Sequence, residues 1–332
     1  MAKRPEISDA IFNERESFYK RGLFTYRYQV TNNPIYRIFA SHYYGENEHP
    51  ETLSEIPLLP IRAFKELDLI VEGKRPSISF RSSGTGSMQR SRHLVADSGI
   101  YRTAIVKGIN EHFELNSSTL LCYTPGYSEN PDSSLLWMLN HLIENDSSGL
   151  SRFLPLDQPI KKEMIEKVSR PDRTLILFGA AFGLLDLLEA ESDPLPDSAH
   201  IIETGGMKTY RREISKEKLR SQLSEGFGIP GSQIHSEYGM CELLSQMYAI
   251  GGTWFSTPHW MYASVRDPKD PATECKAGEE GKIGIIDLAN IYSCPFLLTE
   301  DRGVMDSDGR VSIAGRWNPA DLRGCNFLID LD

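Results

Sequence analysis

Thr174-Leu175-Ile176-Leu177-Phe178-Gly179-Ala180-Ala181-Phe182-Gly183-Leu184-Leu185-Asp186-Leu187-Leu188-Glu189 is the stretch on which the fold class turns. Thr174 to Phe178 is a short apolar run that reads as a buried strand, and the apolar stretch near 181–189 reads as a helix packed against it. His200 to Glu203 is again a strand, and it ends on Thr204-Gly205-Gly206. Residues 215–226 are polar at helical spacing. Strands alternating with helices predict an α/β architecture.

Working outward, the same alternation holds upstream. Thr119 to Tyr123 reads as a buried strand, and Asp97 caps a helix running to about Phe113. Asp132 starts another helix, with Leu135, Leu136, Leu139, Leu142 and Ile143 on one stripe. Ile78-Ser79-Phe80 is a short strand entering a glycine-rich turn. Residues 8–45 form two helices broken near Asn32-Asn33-Pro34, and Ile56-Pro57-Leu58-Leu59-Pro60 is a loop. After 260 the pattern changes to short β segments at 261–266, 281–287 and 311–314. The expected organisation is an N-terminal helical segment over 1–75, an α/β core over 76–255 and a β-rich terminal subdomain over 256–332.

Composition narrows the function. The 332 residues are 40% hydrophobic and 25% charged, with a net charge of −10. An acidic balance argues against a general nucleic-acid binder, which needs a basic footprint to neutralise phosphates. Five cysteines, an odd number without CxxC spacing, argue against a disulfide framework or a zinc site. The N-terminus lacks the apolar core of a secretory signal, and Leu175–Leu188, interrupted by Asp186, is too short to span a bilayer. A cytoplasmic protein with no membrane span is expected.

Four motifs can carry chemistry. The first is Arg81-Ser82-Ser83-Gly84-Thr85-Gly86-Ser87, where glycines let the backbone fold tightly and hydroxyls and N–H groups can donate to phosphate oxygens. It lacks the Gly-Lys-Ser/Thr ending of a P-loop. The second is Glu203-Thr204-Gly205-Gly206-Met207-Lys208, a strand end where a flat ring can approach the backbone and Lys208 can point at phosphates. The third is Ser236-Glu237-Tyr238-Gly239-Met240-Cys241-Glu242, with a ring suited to stacking on a base and a carboxylate suited to Mg²⁺. The fourth joins Asp301, in a loop, to Arg316: an acid for two ribose hydroxyls and a cation nearby. Each alone is equally a turn, a core residue or a surface ion pair.

As a set in this order, the motifs resemble the adenylate-forming superfamily of acyl-CoA synthetases, luciferases and peptide-synthetase adenylation domains. Within it, Glu203-Thr204-Gly205-Gly206-x-Lys208, Ser236 through Gln246 and Leu322-Arg323-Gly324-Cys325 resemble the LuxE-type acyl-protein synthetases, over roughly 75–330. The resemblance implies the layered α/β fold of that superfamily's N-terminal domain, with 76–255 as the nucleotide-binding core. It implies that Ser82, Ser83, Gly84, Thr85, Gly86 and Ser87 grip the triphosphate of ATP, and that Gly205 and Gly206 border the adenine. Tyr238, followed by Gly239, would stack on the base, Glu242 would hold Mg²⁺, and Asp301 with Arg316 would hold the ribose. Lys208 would supply a catalytic positive charge, and Cys325 would accept the acyl group. The partners implied are a carboxylic acid, fatty or aryl, and a protein thiol, an acyl carrier protein, a reductase partner or CoA. Three departures stand out: the loop reads Ser-Ser-Gly-Thr-Gly-Ser where Ser-Gly-Thr-Thr-Gly is usual, Cys241 replaces a usual Thr, and the mobile C-terminal domain with its catalytic lysine that most members carry is expected to be absent. A catalytically silent nucleotide-binding assembly partner and a phenylacetate-type acyl-CoA ligase are the alternatives.

Overall fold

The computed structural model describes residues 7, 11–45, 48–82, 90–125, 131–156, 158–205 and 214–317. Ser17 caps α1 (Phe18–Asn32) through its hydroxyl. Asn33 closes that helix and caps α2 (Pro34–Ala40), where Pro34 loses nothing by lacking an N–H in the first turn. The break expected at 32–34 is therefore a single residue serving both helices. Its buried amide also donates to the Ser293 carbonyl, tying the helical pair to a sheet formed 260 residues later.

The piece read as a loop at 56–60 ends in a two-residue strand, β1 (Leu59–Pro60), which leads into the short α3 (Ala63–Glu66). Strands β2 (Ile78–Arg81) and β3 (Arg92–Val95) form an antiparallel ribbon on either side of the serine- and glycine-rich stretch, with Arg81 directly opposite Arg92. Asp97 then caps α4 (Ser98–Asn110), as its position predicts.

The alternating part follows: β4 (Ser118–Tyr123), α5 (Ser134–Glu144), β5 (Arg152–Phe153), α6 (Lys162–Val168), β6 (Thr174–Ala180), α7 (Ala181–Glu189), β7 (His200–Thr204), α8 (Lys216–Phe227), β8 (Ile234–Tyr238) and β9 (Met247–Ala249). Its strands make one sheet in the order β5-β4-β6-β7-β8-β9, parallel except for the edge strand β9. Leu121, Leu175, Leu177, Ile201 and Ile234 face one core with residues of α6, α7 and α8. Leu120, Cys122, Ile176, Phe178 and Ile202 face the other, with residues of α4 and α5. Both faces are covered, which is why these strands read as unbroken apolar runs.

That second core continues into a further sheet, built from β1 and from β10 (Met261–Arg266), β11 (Gly281–Asp287), β12 (Phe296–Met305) and β13 (Val311–Arg316), in the order β1-β12-β11-β10 with β13 also on β12. β8 and β12 gave no strand signal because polar residues interrupt both. The structure pairs those residues instead: Glu203 and Thr204 lie opposite Ser236 and Glu237 across β7–β8. Asp301, expected in a loop, stands within β12 opposite Arg316 of β13, whose ladder supplies the backbone partners a loop would lack.

Candidate active site

β7 and β8 end side by side at the carboxyl edge of the parallel sheet, where open α/β sheets place their ligands. Just beyond β7, Gly205 adopts φ +74°, a left-handed turn that a side chain would strain. Glu203 is fully buried. It accepts from the Ser236 hydroxyl at 2.5 Å and pairs with Lys216 Nζ at 2.5 Å. The Thr204 hydroxyl donates to Glu237. Burial pushes the Glu237 carboxyl up to about 7, against the pull of that hydroxyl. Tyr238, half-buried, is the last residue of β8, and Gly239 follows it exposed.

The Tyr238 hydroxyl donates to Asp301 Oδ2 at 2.7 Å. Arg316 Nε lies 3.5 Å from Asp301 Oδ1, its side chain exposed while that of Asp301 is largely covered. The fold thus joins the end of β8 to the β12–β13 ladder through one carboxylate. An acid held on one side by a phenol and reached on the other by an exposed guanidinium can accept from a diol brought to it.

Glu242 follows on the loop after β8 and is only 6% exposed. Burial raises its pKa, opposed first by the neighbouring Ser91 hydroxyl, then by its own backbone N–H and by the more distant charges of Arg316 and Lys65. Ser91 is in turn bonded to Ser82: its N–H donates to Ser82 Oγ at 2.9 Å, and its carbonyl accepts from the Ser82 N–H at 3.1 Å. The carboxylate therefore sits on the stem of the serine- and glycine-rich turn. A hard oxygen donor in a low-dielectric position gains by facing a hard cation such as Mg²⁺, so the residues fit that ion. Among the described residues no cluster of three or more His, Cys, Asp or Glu forms a ready-made metal cage. Beside the stem opens a cavity of about 420 Å³, lined by Lys65, Arg81, Arg90 and Arg92 together with Glu66 and Asp68. Arg81 stands across from Arg92, and each has a carboxylate partner, Arg81 with Asp132 and Arg92 with Asp68.

Of the residues singled out in the sequence, Ser82, Gly205, Tyr238, Gly239, Glu242, Asp301 and Arg316 are described. Tyr238, Asp301 and Arg316 meet directly, and Ser82 reaches Glu242 through Ser91. Ser83, Gly84, Thr85, Gly86, Ser87, Gly206, Lys208 and Cys325 lie outside the described residues. Sequence reasoning missed Ser91. Its signal is its place in the ribbon: a hairpin around the glycine-rich turn brings it back beside Ser82. Cys241, where a Thr was expected, is buried, and burial raises its thiol pKa well above the usual value.

The sequence matches no family model and no curated protein. The fold, in contrast, is shared with solved enzymes. An open conformation of a 2-hydroxyisobutyryl-CoA ligase in complex with 2-HIB-AMP and CoA aligns with a TM-score of 0.64, over 94% of this chain and 75% of its own, at 12% identity. The same ligase in its postadenylation state with 2-HIB-AMP aligns at 0.64 over 90% and 67%, at 14% identity. An ATP-bound RpMatB-BxBclM chimera aligns at 0.52 over 72% of this chain, at 16% identity, and the chain spans 47% of that protein's length. The fold is the layered α/β arrangement of adenylate-forming enzymes.

Proposed function

We propose that the protein is an ATP-dependent ligase that activates a carboxylic acid as its acyl-adenylate and passes the acyl group to a thiol, in the manner of the LuxE-type acyl-protein synthetases. The observation that carries this reading is the seat of Glu242: a nearly buried carboxylate beside Ser91, which is itself bonded to Ser82, at the carboxyl edge of the sheet.

In this reading, Tyr238 and Gly205 border the base, and Asp301 accepts from the ribose hydroxyls with Arg316 at its side. Ser82 and the turn it opens, Ser83 to Ser87, hold the phosphate tail, with Arg81, Arg90 and Arg92 answering its charge. Glu242 would hold Mg²⁺, which when bound supplies positive charge at the phosphate oxygens. A substrate carboxylate oxygen then forms a bond to the α-phosphorus while the α–β bridging P–O bond breaks and pyrophosphate leaves. Little covalent work falls on the side chains, and positioning and charge complementarity carry the rate. In the second half, a thiolate sulfur bonds to the acyl carbon and AMP departs. Cys325, CoA and a carrier protein are the candidate thiols, and Lys208 is the candidate cation for the first half.

ATP–pyrophosphate exchange with a panel of fatty and aryl acids tests the reading. At least one acid should drive exchange, and Glu242→Gln should abolish it while leaving acid binding nearly intact. Exchange by Glu242→Gln at the wild-type rate would remove Glu242 from the mechanism.

A further inference from the structure

The Cys241–Glu242 peptide is gripped from two directions. On one side stands His93 of β3, fully buried, with Phe64 edge-on to its ring at 5.5 Å between centroids. Its Nδ1 lies 2.8 Å from the Cys241 carbonyl oxygen. A carbonyl only accepts, so Nδ1 carries the proton. Burial lowers the ring's pKa to about 4, so the ring is neutral and Nε2 is an acceptor. On the other side stands Asn290, fully buried in the turn after β11. Its Nδ2 donates to the Glu242 carbonyl at 2.8 Å.

The two clamping residues share a second feature. His93 Nε2 and Asn290 Oδ1 both lack a hydrogen-bond partner among the described residues. Both side chains line one small void of about 10 Å³, room for about one water. Burying an imidazole and an amide with one polar atom each unsatisfied is costly, and simple packing would be served better by apolar side chains. Two unpartnered acceptors on residues that line one void are matched by a single molecule that donates twice.

We propose that His93 and Asn290 are positioning residues for Glu242. They clamp two consecutive carbonyls, one from the β2–β3 ribbon and one from the turn between β11 and β12, and a buried water donating to His93 Nε2 and Asn290 Oδ1 joins the halves of the clamp. The clamp fixes the direction in which the Glu242 carboxylate leaves the chain, toward Ser91 and the stem of the turn. Its catalytic consequence rests on the reading of Glu242 given above, whereas the clamp itself does not.

The experiment therefore has two arms. In the first, full-length wild type, His93→Ala and Asn290→Ala are alkylated with iodoacetamide, and the rates at Cys241 and Cys122, both buried, are read by mass spectrometry. The clamp predicts that Cys241 reacts at least tenfold faster in both variants while Cys122 keeps its wild-type rate. His93→Asn, which retains an N–H near the Nδ1 position, should stay within about threefold of wild type. A Cys241 rate that does not change, or that rises together with Cys122, overturns the proposal. Should an alanine variant fail to fold, Asn290→Ser gives the same ratio. In the second arm, the Mg²⁺ concentration for half-maximal pyrophosphate exchange should rise about tenfold in both alanine variants, with the KM for the acid unchanged. If no acid drives exchange in the wild type, the proposed function falls while the alkylation ratio still decides the clamp.

Discussion

Glu237 offers a quantitative test of how β8 carries charge through the core. Its carboxyl is buried beside Thr204, and burial, the dominant cause, raises its pKa from 4.5 to about 7. A raised folded-state pKa means that the native protein favours the protonated acid. Its contribution to stability is fully present below the unfolded value and is lost as pH rises through the folded one. Glu237→Gln keeps an acceptor for the Thr204 hydroxyl and cannot titrate. Other groups titrate alike in the two proteins, so the difference between them isolates residue 237. With one pKa unit worth about 1.4 kcal/mol, the wild type should lose about 2.5 kcal/mol relative to the variant between about pH 5 and about pH 8. Urea unfolding at both pH values reads this directly, and thermal melts should show the gap in Tm widening by about 3–4 °C. A stability difference that is the same at both values would refute the reasoning, because Glu237 would then titrate no differently in the folded and unfolded chains.

Three further outcomes are expected. Tyr238→Phe removes the hydroxyl bonded to Asp301 and should raise the KM for ATP in pyrophosphate exchange about tenfold, since hydrogen bonds to charged groups contribute about 1.5–3 kcal/mol; an unchanged KM would detach Asp301 from nucleotide binding. Lys216→Met leaves the fully buried Glu203 without its cation and should cost about 3 kcal/mol in chemical denaturation, whereas a loss below about 1 kcal/mol would mean that Ser236 alone suffices. Gly179→Ala sets a Cβ 2.8 Å from the Tyr123 carbonyl oxygen and 2.7 Å from Leu184 Cδ2, so Tm should fall by an amount equivalent to about 1–3 kcal/mol; equal stability would mean that β4 and β6 can part at little cost.

The sequence by itself determined the parts of the fold in which hydrophobic periodicity speaks. Leu175–Phe178, Ile201 and Ile202 sit in a sheet covered on both faces, and the stripe Leu135–Ile143 lies on α5, which packs on one of those faces, so burial demands apolar residues at the inward positions and the pattern is plain. The helix cap at Asp97 and the break between helices at Asn32-Asn33-Pro34 were legible for a similar reason: their chemistry is local. What the tertiary structure alone decided is how polar residues are paid for. His235, Ser236 and Glu237 make a strand without an apolar run because β7 brings Glu203 and Thr204 opposite them. Asp301 became part of a ladder because β13 folds back onto it. Ser91, His93 and Asn290 gave no functional signal in one dimension, since their partners lie at Glu242 and Cys241, some 50 to 150 residues away in the chain. Pattern in a sequence reports what each residue must avoid, namely water or its absence. A polar residue's partner is chosen only when the chain closes on itself, and the arrangement around Glu242 is written in such partnerships.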